Sequence, residues 1–369
     1  MRLRVAFLWL AGCWGTAMAQ GLTRSGLDPQ RFDSVMDNRQ TGLYTIANRQ
    51  GMEACITNYG ARLVSLVVNG RDCVTGFDNV GDYRRYRQNY GATVGRYVGR
   101  IKGARFTLDG VVHHLQENGK GVTSHGGYPG FADRVWTKTA QTDSTVILEY
   151  VSADGENGFP GELTVRLTYL VSSRNGLEIS YEATTTKPTV LNLTNHSFFN
   201  IGGRLDREIT DELLWVNSDR IATFDAQKNL DGGMRKVKGT PFDFRKAVKI
   251  GSRIDEDDVQ LKVTKGYDHS FVLKTKGSDR KPAAIVTDVE SKMRMTVYTT
   301  EPVLHIYTGN GLKGNTRGKQ HIYYPRRSAV CFEAMHLADS PNHPEFPSTV
   351  LRPGETFHSH TAYVFSTIE

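Results

Sequence analysis

The chain reads as an all-β protein, a large antiparallel β-sandwich, on three observations. Apolar and polar residues alternate with a period of two in several runs, Gly- and Asn-containing dipeptides separate those runs, and helical periodicity is scarce. In chain order, Asn69-Gly70 and Asp109-Gly110 are pairs suited to tight hairpins. In ELTVRLTYLV, Val165, Leu167 and Tyr169 alternate with Thr164, Arg166 and Thr168, which puts one set on a core face and the other outward. Asn175-Gly176 reads as the next turn, and Leu177, Ile179 and Tyr181 then alternate with Glu178, Ser180 and Glu182. Asp231-Gly232-Gly233 is read as a further turn, and Ser252 to Leu261 as the one short helix. Met293, Met295 and Val297 against Arg294, Thr296 and Tyr298 repeat the strand signature. No repeat of 20 to 50 residues is visible, which disfavours a propeller.

The chain has 369 residues, 38% hydrophobic and 23% charged, the balance of a folded globular protein rather than a disordered one. No Pro/Ser-rich linker or charge block divides it, so residues 20–369 are expected to form a single domain. Residues 1–19 are expected to be a signal peptide: a basic start, an apolar stretch, and Ala17-Met18-Ala19 ahead of Gln20. Leu10-Ala11-Gly12-Cys13 also resembles a bacterial lipobox, which would leave a lipid anchor at Cys13. Either route exports the protein, to the periplasm or beyond. No later segment is apolar over the roughly 18 residues needed to span a bilayer.

The 46 Lys and Arg against 39 Asp and Glu give +7, and loss of Arg2 and Arg4 with the signal reduces this to +5. The cations are scattered along the chain without a nucleic-acid motif, so they read as general surface charge and no nucleic-acid partner is expected. Cys55, Cys73 and Cys331 remain after cleavage, enough for at most one disulfide, so core size must hold the fold.

Two stretches offer chemistry. LNLTNHSFFNIGG, residues 191–203, places His196 between small polar residues and two phenylalanines. A histidine titrates near neutrality and can donate a proton in one step and take it back in another, although a histidine satisfied by a backbone carbonyl would look the same. Two glycosylation tripeptides, at Asn192 and Asn195, overlap this stretch and are read as accidental. AVCFEAMHLADSPNHPEFP, residues 329–347, sets Glu333 in an apolar strand pattern, where burial raises a carboxyl pKa unless a partner holds it charged. An arginine-paired structural carboxylate is the alternative. Pro341, Pro344 and Pro347 make the following loop a rigid wall. Arg96 and Arg100 in GRYVGRI, His125 in TSHGG, and Asp268 with His269 in GYDHSF supply further polar groups, each of which alone would also suit the surface. Together with aromatics they match a sugar's needs, fixed hydrogen-bonding groups for hydroxyls and an aromatic platform for the ring face. His113-His114 and His358-Ser-His360 lack ligand partners at recognised spacings, and no metal site is expected. Neither a Gly-x-Ser-x-Gly elbow nor a phosphate loop is present.

Eight motifs in order, GRYVGRIKGARFTLDG, SHGG, ENGFPGELTVRLTYLV, LTNHSFFNIGG, GTPFDFR, YDHSFVL, VLHIYTGN and CFEAMHLADSPNHPEFPS, resemble the aldose 1-epimerases, or galactose mutarotases, from about Tyr44 to the C-terminus. The resemblance implies a large antiparallel β-sandwich with an open cleft, a monosaccharide substrate and no cofactor. It makes Glu333 the base that takes the proton of the C1 hydroxyl and His196 the acid that protonates the ring oxygen, placed on either side of the hemiacetal, each about 3 Å from its oxygen. Arg100, His125 and Asp268 would hold the sugar, with His305 at a position where the family commonly has Gln. The family also commonly has Asn at Gly99 and Gln at Met335, so the departures bear on which sugar is preferred. The same resemblance leaves open a hexose-phosphate epimerase, which requires basic residues converging on the phosphate, and a sugar-binding protein without catalysis.

Overall fold

The computed structural model of the protein describes residues 21–369; the signal-peptide reading of residues 1–19 and the anchor at Cys13 lie outside the described residues. A nine-stranded antiparallel sheet runs in the order Thr137–Gln141, Thr145–Ser152, Leu163–Val171, Gly176–Thr185, Phe357–Thr367, Met293–Thr299, Ala284–Asp288, Leu213–Val216 and Val248–Lys249. Facing it are a four-stranded sheet, Leu43–Ala47 to Arg71–Asp72, and a six-stranded sheet ordered Phe198–Phe199, Val330–Met335, Val303–Tyr307, Asp268–Leu273, Ser218–Phe224 and Leu230–Lys236.

The alternation expected of the large sheet is present. Val165, Leu167 and Tyr169 are wholly buried, as are Leu177, Met295 and Val297, and their polar neighbours turn outward. These side chains share one core with Ile56 and Leu66 of the four-stranded sheet and Phe271, Ile306 and Phe332 of the six-stranded one. Because unpaired buried hydroxyls are costly, the tyrosines crossing this interface bond backbone on the far side. Tyr169 donates to the Ala61 carbonyl at 2.8 Å and Tyr363 to the Phe332 carbonyl at 2.8 Å.

Asn69-Gly70 and Asp109-Gly110 each make a two-residue hairpin with both residues at positive φ, as the sequence predicts. Asn175 closes a longer loop, and Gly176 already belongs to the next strand. Two expectations are corrected. Asp231-Gly232-Gly233 is no turn: it lies inside the strand Leu230–Lys236, beside a register shift between Ala222 and Phe224 where the flexible glycines accommodate a bulge. The helix assigned to Ser252 to Leu261 begins later, as α2, Val259–Thr264, because Asp258 caps it by accepting from the Gln260 amide at 2.9 Å. A second helix, α1, Val80–Tyr86, starts the same way at Asn79, which accepts from the Asp82 amide at 2.9 Å. Seven residues are too few to show a helical period. Both helices end on a cation in left-handed conformation, Arg87 and Lys265. Among the described residues no helix is long and apolar enough to cross a membrane, and all three cysteines are free and buried.

Candidate active site

Strand register builds the floor of a cleft on the outer face of the six-stranded sheet. Ser270 lies opposite His305 and His305 opposite Glu333, one row across three strands. The neighbouring row runs Asp268, Tyr307, Cys331, Phe198. Since side chains alternate across a strand, Phe332, Ala334 and Ile306 face the core while Glu333, Met335 and His305 face the cleft. The strand Val330–Met335 is therefore buried at every position. The cleft above holds a cavity of about 680 Å³.

His196 is delivered from outside this sheet. Its strand, Thr194–His196, pairs with Ala92–Val94, and Thr194 ties it over the floor by donating to the Ala334 carbonyl at 2.9 Å. Asn195 points the other way, donating to Gly91 at 3.0 Å and to the Tyr169 hydroxyl at 2.9 Å, so the next side chain faces the cleft. Asn192 and Asn195 are both buried, which keeps the two glycosylation tripeptides from solvent in the folded chain. The imidazole stacks on Phe198 with centroids 5.0 Å apart. Its Nε2 is 3.5 Å from Glu333 Oε1 and its Nδ1 is 3.5 Å from Cys331 Sγ. His196 is 7% exposed and Glu333 3%, so charge on either is expensive. Burial, helped by His125 and His305, pushes the imidazole down to about 3. Burial also lifts the Glu333 carboxyl to about 7, against the pull of His305. The pair thus holds one proton over the range between.

All six residues singled out for chemistry, His196, Glu333, Arg100, His125, Asp268 and His305, line this one cavity. The His125 Nδ1 accepts from the Gly99 amide at 3.4 Å, which leaves the proton of the neutral ring on Nε2 as a donor. Arg100 reaches across to the carbonyl of Gln227 at 2.7 Å and so spans the cleft. His305 is clamped between Ser270 Oγ on Nδ1 and Asp268 Oδ1 on Nε2, both at 2.9 Å. Burial alone would lower His305 and raise Asp268; the bond between them outweighs it and drives each the opposite way, towards an ion pair. Arg96 and His269 stand apart. The Arg96 guanidinium is buried against the carbonyls of Pro160 and Gly161, and His269 packs on Phe242 in the interior.

The departure at Gly99 has a steric counterpart. A Cβ at Gly99, whose φ is +81°, would lie 2.5 Å from the Ala338 methyl, so this wall has no room for any side chain there. Tyr307 was not singled out from the sequence, yet with Phe198 it flanks the imidazole; the alternation within VLHIYTGN puts Tyr307 on the same face as His305. Sequence reasoning also passed over Arg87, Lys228, Lys265 and Lys313, which line the same cavity. The scattered cations are therefore not all general surface charge. His196, Cys331 and Glu333 are the trio of metal-ligand type closest together among the described residues. Sulfur and carboxylate face different nitrogens of one ring, an arrangement suited to passing a proton through the imidazole rather than to gathering round one ion.

Groups able to transfer protons and to bind hydroxyls are thus assembled, and most of the chain has counterparts among known proteins. The family model described as Aldose 1-epimerase matches residues 42–364. Aldose 1-epimerase of Escherichia coli (strain K12) is 37% identical over 338 residues, 89% of this chain and 96% of that protein. Galactose mutarotase of Homo sapiens is 35% identical over 317 residues, 84% of this chain and 90% of that one. Among solved structures, the galactose 1-epimerase from Lactobacillus acidophilus superposes with a TM-score of 0.82 at 29% identity, covering 91% of this chain and 97% of that one. An aldose epimerase homologue from C. elegans gives the same TM-score at 28% identity, covering 89% and 100%.

Proposed function

The chain belongs to the aldose 1-epimerase family, and from that premise we propose that it interconverts the α and β anomers of a hexose such as galactose or glucose, with His196 and Glu333 as its acid and base. The observation that carries the assignment of roles is the contact of His196 Nε2 with Glu333 Oε1, 3.5 Å, on the floor of a cleft lined by Arg100, His125, Asp268 and His305. The ring oxygen and the C1 hydroxyl are bonded to one carbon, so the groups that serve them must be neighbours. A separation of 3.5 Å lets one group serve each oxygen of the hemiacetal.

Ring opening breaks the bond between C1 and the ring oxygen. Glu333 takes the C1 hydroxyl proton, the C1 oxygen becomes an aldehyde, and His196 gives its proton to the departing ring oxygen. After rotation about the C1–C2 bond the hydroxyl attacks the other face of the aldehyde, His196 takes back its proton and Glu333 returns the other. Two proton transfers balance the reaction without a cofactor. Ring opening needs the pair's proton on His196 and leaves it on Glu333; burial favours the second arrangement, so the imidazolium–carboxylate form that opens the ring is the minor one, and one shared proton supports both directions. Arg100 and His125 hold the oxygens at C1, and the Asp268–His305 pair accepts and donates to hydroxyls further round the ring.

Export completes the reading. The Ala17-Met18-Ala19 site, or lipidation at Cys13, would deliver the residues from 20 onward as one domain outside the cytoplasm, and the mass of the mature N-terminus distinguishes the two. Polarimetry of freshly dissolved α-galactose and α-glucose tests the activity. The purified protein should shorten the approach to equilibrium and Glu333→Gln should not; no acceleration of either sugar by the wild type would overturn the assignment to these neutral hexoses.

A further inference from the structure

We propose that the aldose taken by this cleft is anionic, carrying a carboxylate or a phosphate on the part of the sugar remote from C1. The inference rests on the mutarotase reading and names its substrate class. Arg87 closes α1, Lys228 sits in the turn between two strands of the six-stranded sheet, Lys265 closes α2, and Lys313 follows the strand Val303–Tyr307; with Arg100 they bring five cations to one cavity. Among the described residues none of the five pairs with a carboxylate; Arg87 lies over the Tyr128 ring, 4.2 Å from its centroid, and Arg100 donates to the Gln227 carbonyl. Carboxylates on the adjoining segments are committed elsewhere: Asp225 pairs with Lys102, Asp257 with Lys262, Asp258 with Arg235 and Asp255 with Arg327. The only acids of the lining are on the floor. Asp268 is matched to His305, and Glu333 is next to His196.

Like charges drawn from separate loops towards one opening repel each other when the cleft is empty, screened by water at the exposed Arg87, Lys265 and Lys313 and less so at the half-buried Arg100 and Lys228. An anion at the mouth relieves it. Arg87 and Lys265 also cap helix C-termini, where a cation is favourable in any case, whereas Lys228 and Lys313 have no such local reason to face the cleft. There is room for the added group. A second, polar cavity of about 230 Å³ shares Gln88, Gly311 and Lys313 with the first and continues it beyond the catalytic floor. A neutral hexose would leave that end of the cleft and its charge unused.

The test compares kcat/KM for anomer exchange of galactose, galacturonate and galactose 6-phosphate, read from anomeric proton exchange by NMR. The expected result is a preference on the order of tenfold or more for at least one anionic sugar, largely abolished by 0.5 M NaCl. Whichever of the two gives the larger value identifies carboxylate or phosphate. In Lys228→Glu/Lys313→Glu the ratio of anionic to neutral kcat/KM should fall by a further tenfold or more, and in Lys228→Gln/Lys313→Gln by less. Galactose exchanged as fast as both anions at low salt overturns the inference and leaves the mutarotase reading standing. No acceleration of any of the three overturns that reading itself. Should the charge-reversed variant fail to fold by circular dichroism, the wild-type ratio and its salt dependence decide alone.

Discussion

The nine-stranded and six-stranded sheets share one core yet follow different rules on their other faces. The first turns Thr164, Arg166 and Glu178 to solvent and is polar because water covers it. On the six-stranded sheet the face away from the core carries Glu333, His305 and Asp268 beneath a cavity, with Glu333 and its neighbours as buried as core residues. A polar side chain at the surface of the first sheet costs little. A carboxyl buried on the second persists only because its neighbours and its chemistry hold it there, so the exception to the burial rule marks the site.

Substitutions should separate the two faces. The largest effect belongs to the cleft: Glu333→Gln and His196→Asn should each lower kcat by about 10²–10⁴-fold, the range for losing a general acid or base, with little change in thermal midpoint. An unfolded variant would blur the comparison; a folded one with full kcat would break it. Next is Leu167→Ala in the large sheet, which should cost about 2–5 kcal/mol in denaturant unfolding and leave kcat of the folded fraction as it was. Gly99→Ala should destabilise by about 1–3 kcal/mol, from its left-handed backbone and its collision with Ala338, and an added Ala338→Gly should recover part of that.

The pH profile sharpens the contrast further. With Glu333 raised to about 7 and His196 lowered to about 3, the pair keeps its single proton between those values. Above the upper one the acid is missing, so kcat/KM should fall about tenfold per pH unit; below the lower one the base is missing. Activity that climbs steadily through pH 8 would show that another group supplies the proton. The smallest effect is expected from His305→Gln, which trades a charged partner of Asp268 for a neutral one and should raise KM a few-fold, about 0.5–1.5 kcal/mol, with less change in kcat.

The large sheet was legible in the sequence because one wet face and one dry face write themselves as alternation, as in Leu163–Val171. The residues of the proposed acid–base pair were legible as well, because His196 and Glu333 stood in motifs that resemble a known family. What the chain hides is pairing. Nothing local says that His305 lies opposite Glu333, 28 positions on, or that cations at 87, 228, 265 and 313 share an opening, since those facts belong to strand register and loop closure. The short helices and the Asp231-Gly232-Gly233 bulge escaped for a related reason. A capping side chain or a glycine sets local geometry, but whether the chain turns or merely kinks there depends on the neighbouring strand.

The two rows across the floor have a consequence for how the protein comes to be active. A slip of one residue in the pairing of Val330–Met335 would leave its hydrogen bonds nearly as numerous but exchange its faces, driving Phe332 into the cleft and Glu333 into the core. Collapse and sheet content would look almost native, and the acid–base pair would not exist. During refolding, recovered turnover therefore reports correct register, a checksum that circular dichroism and compactness cannot supply.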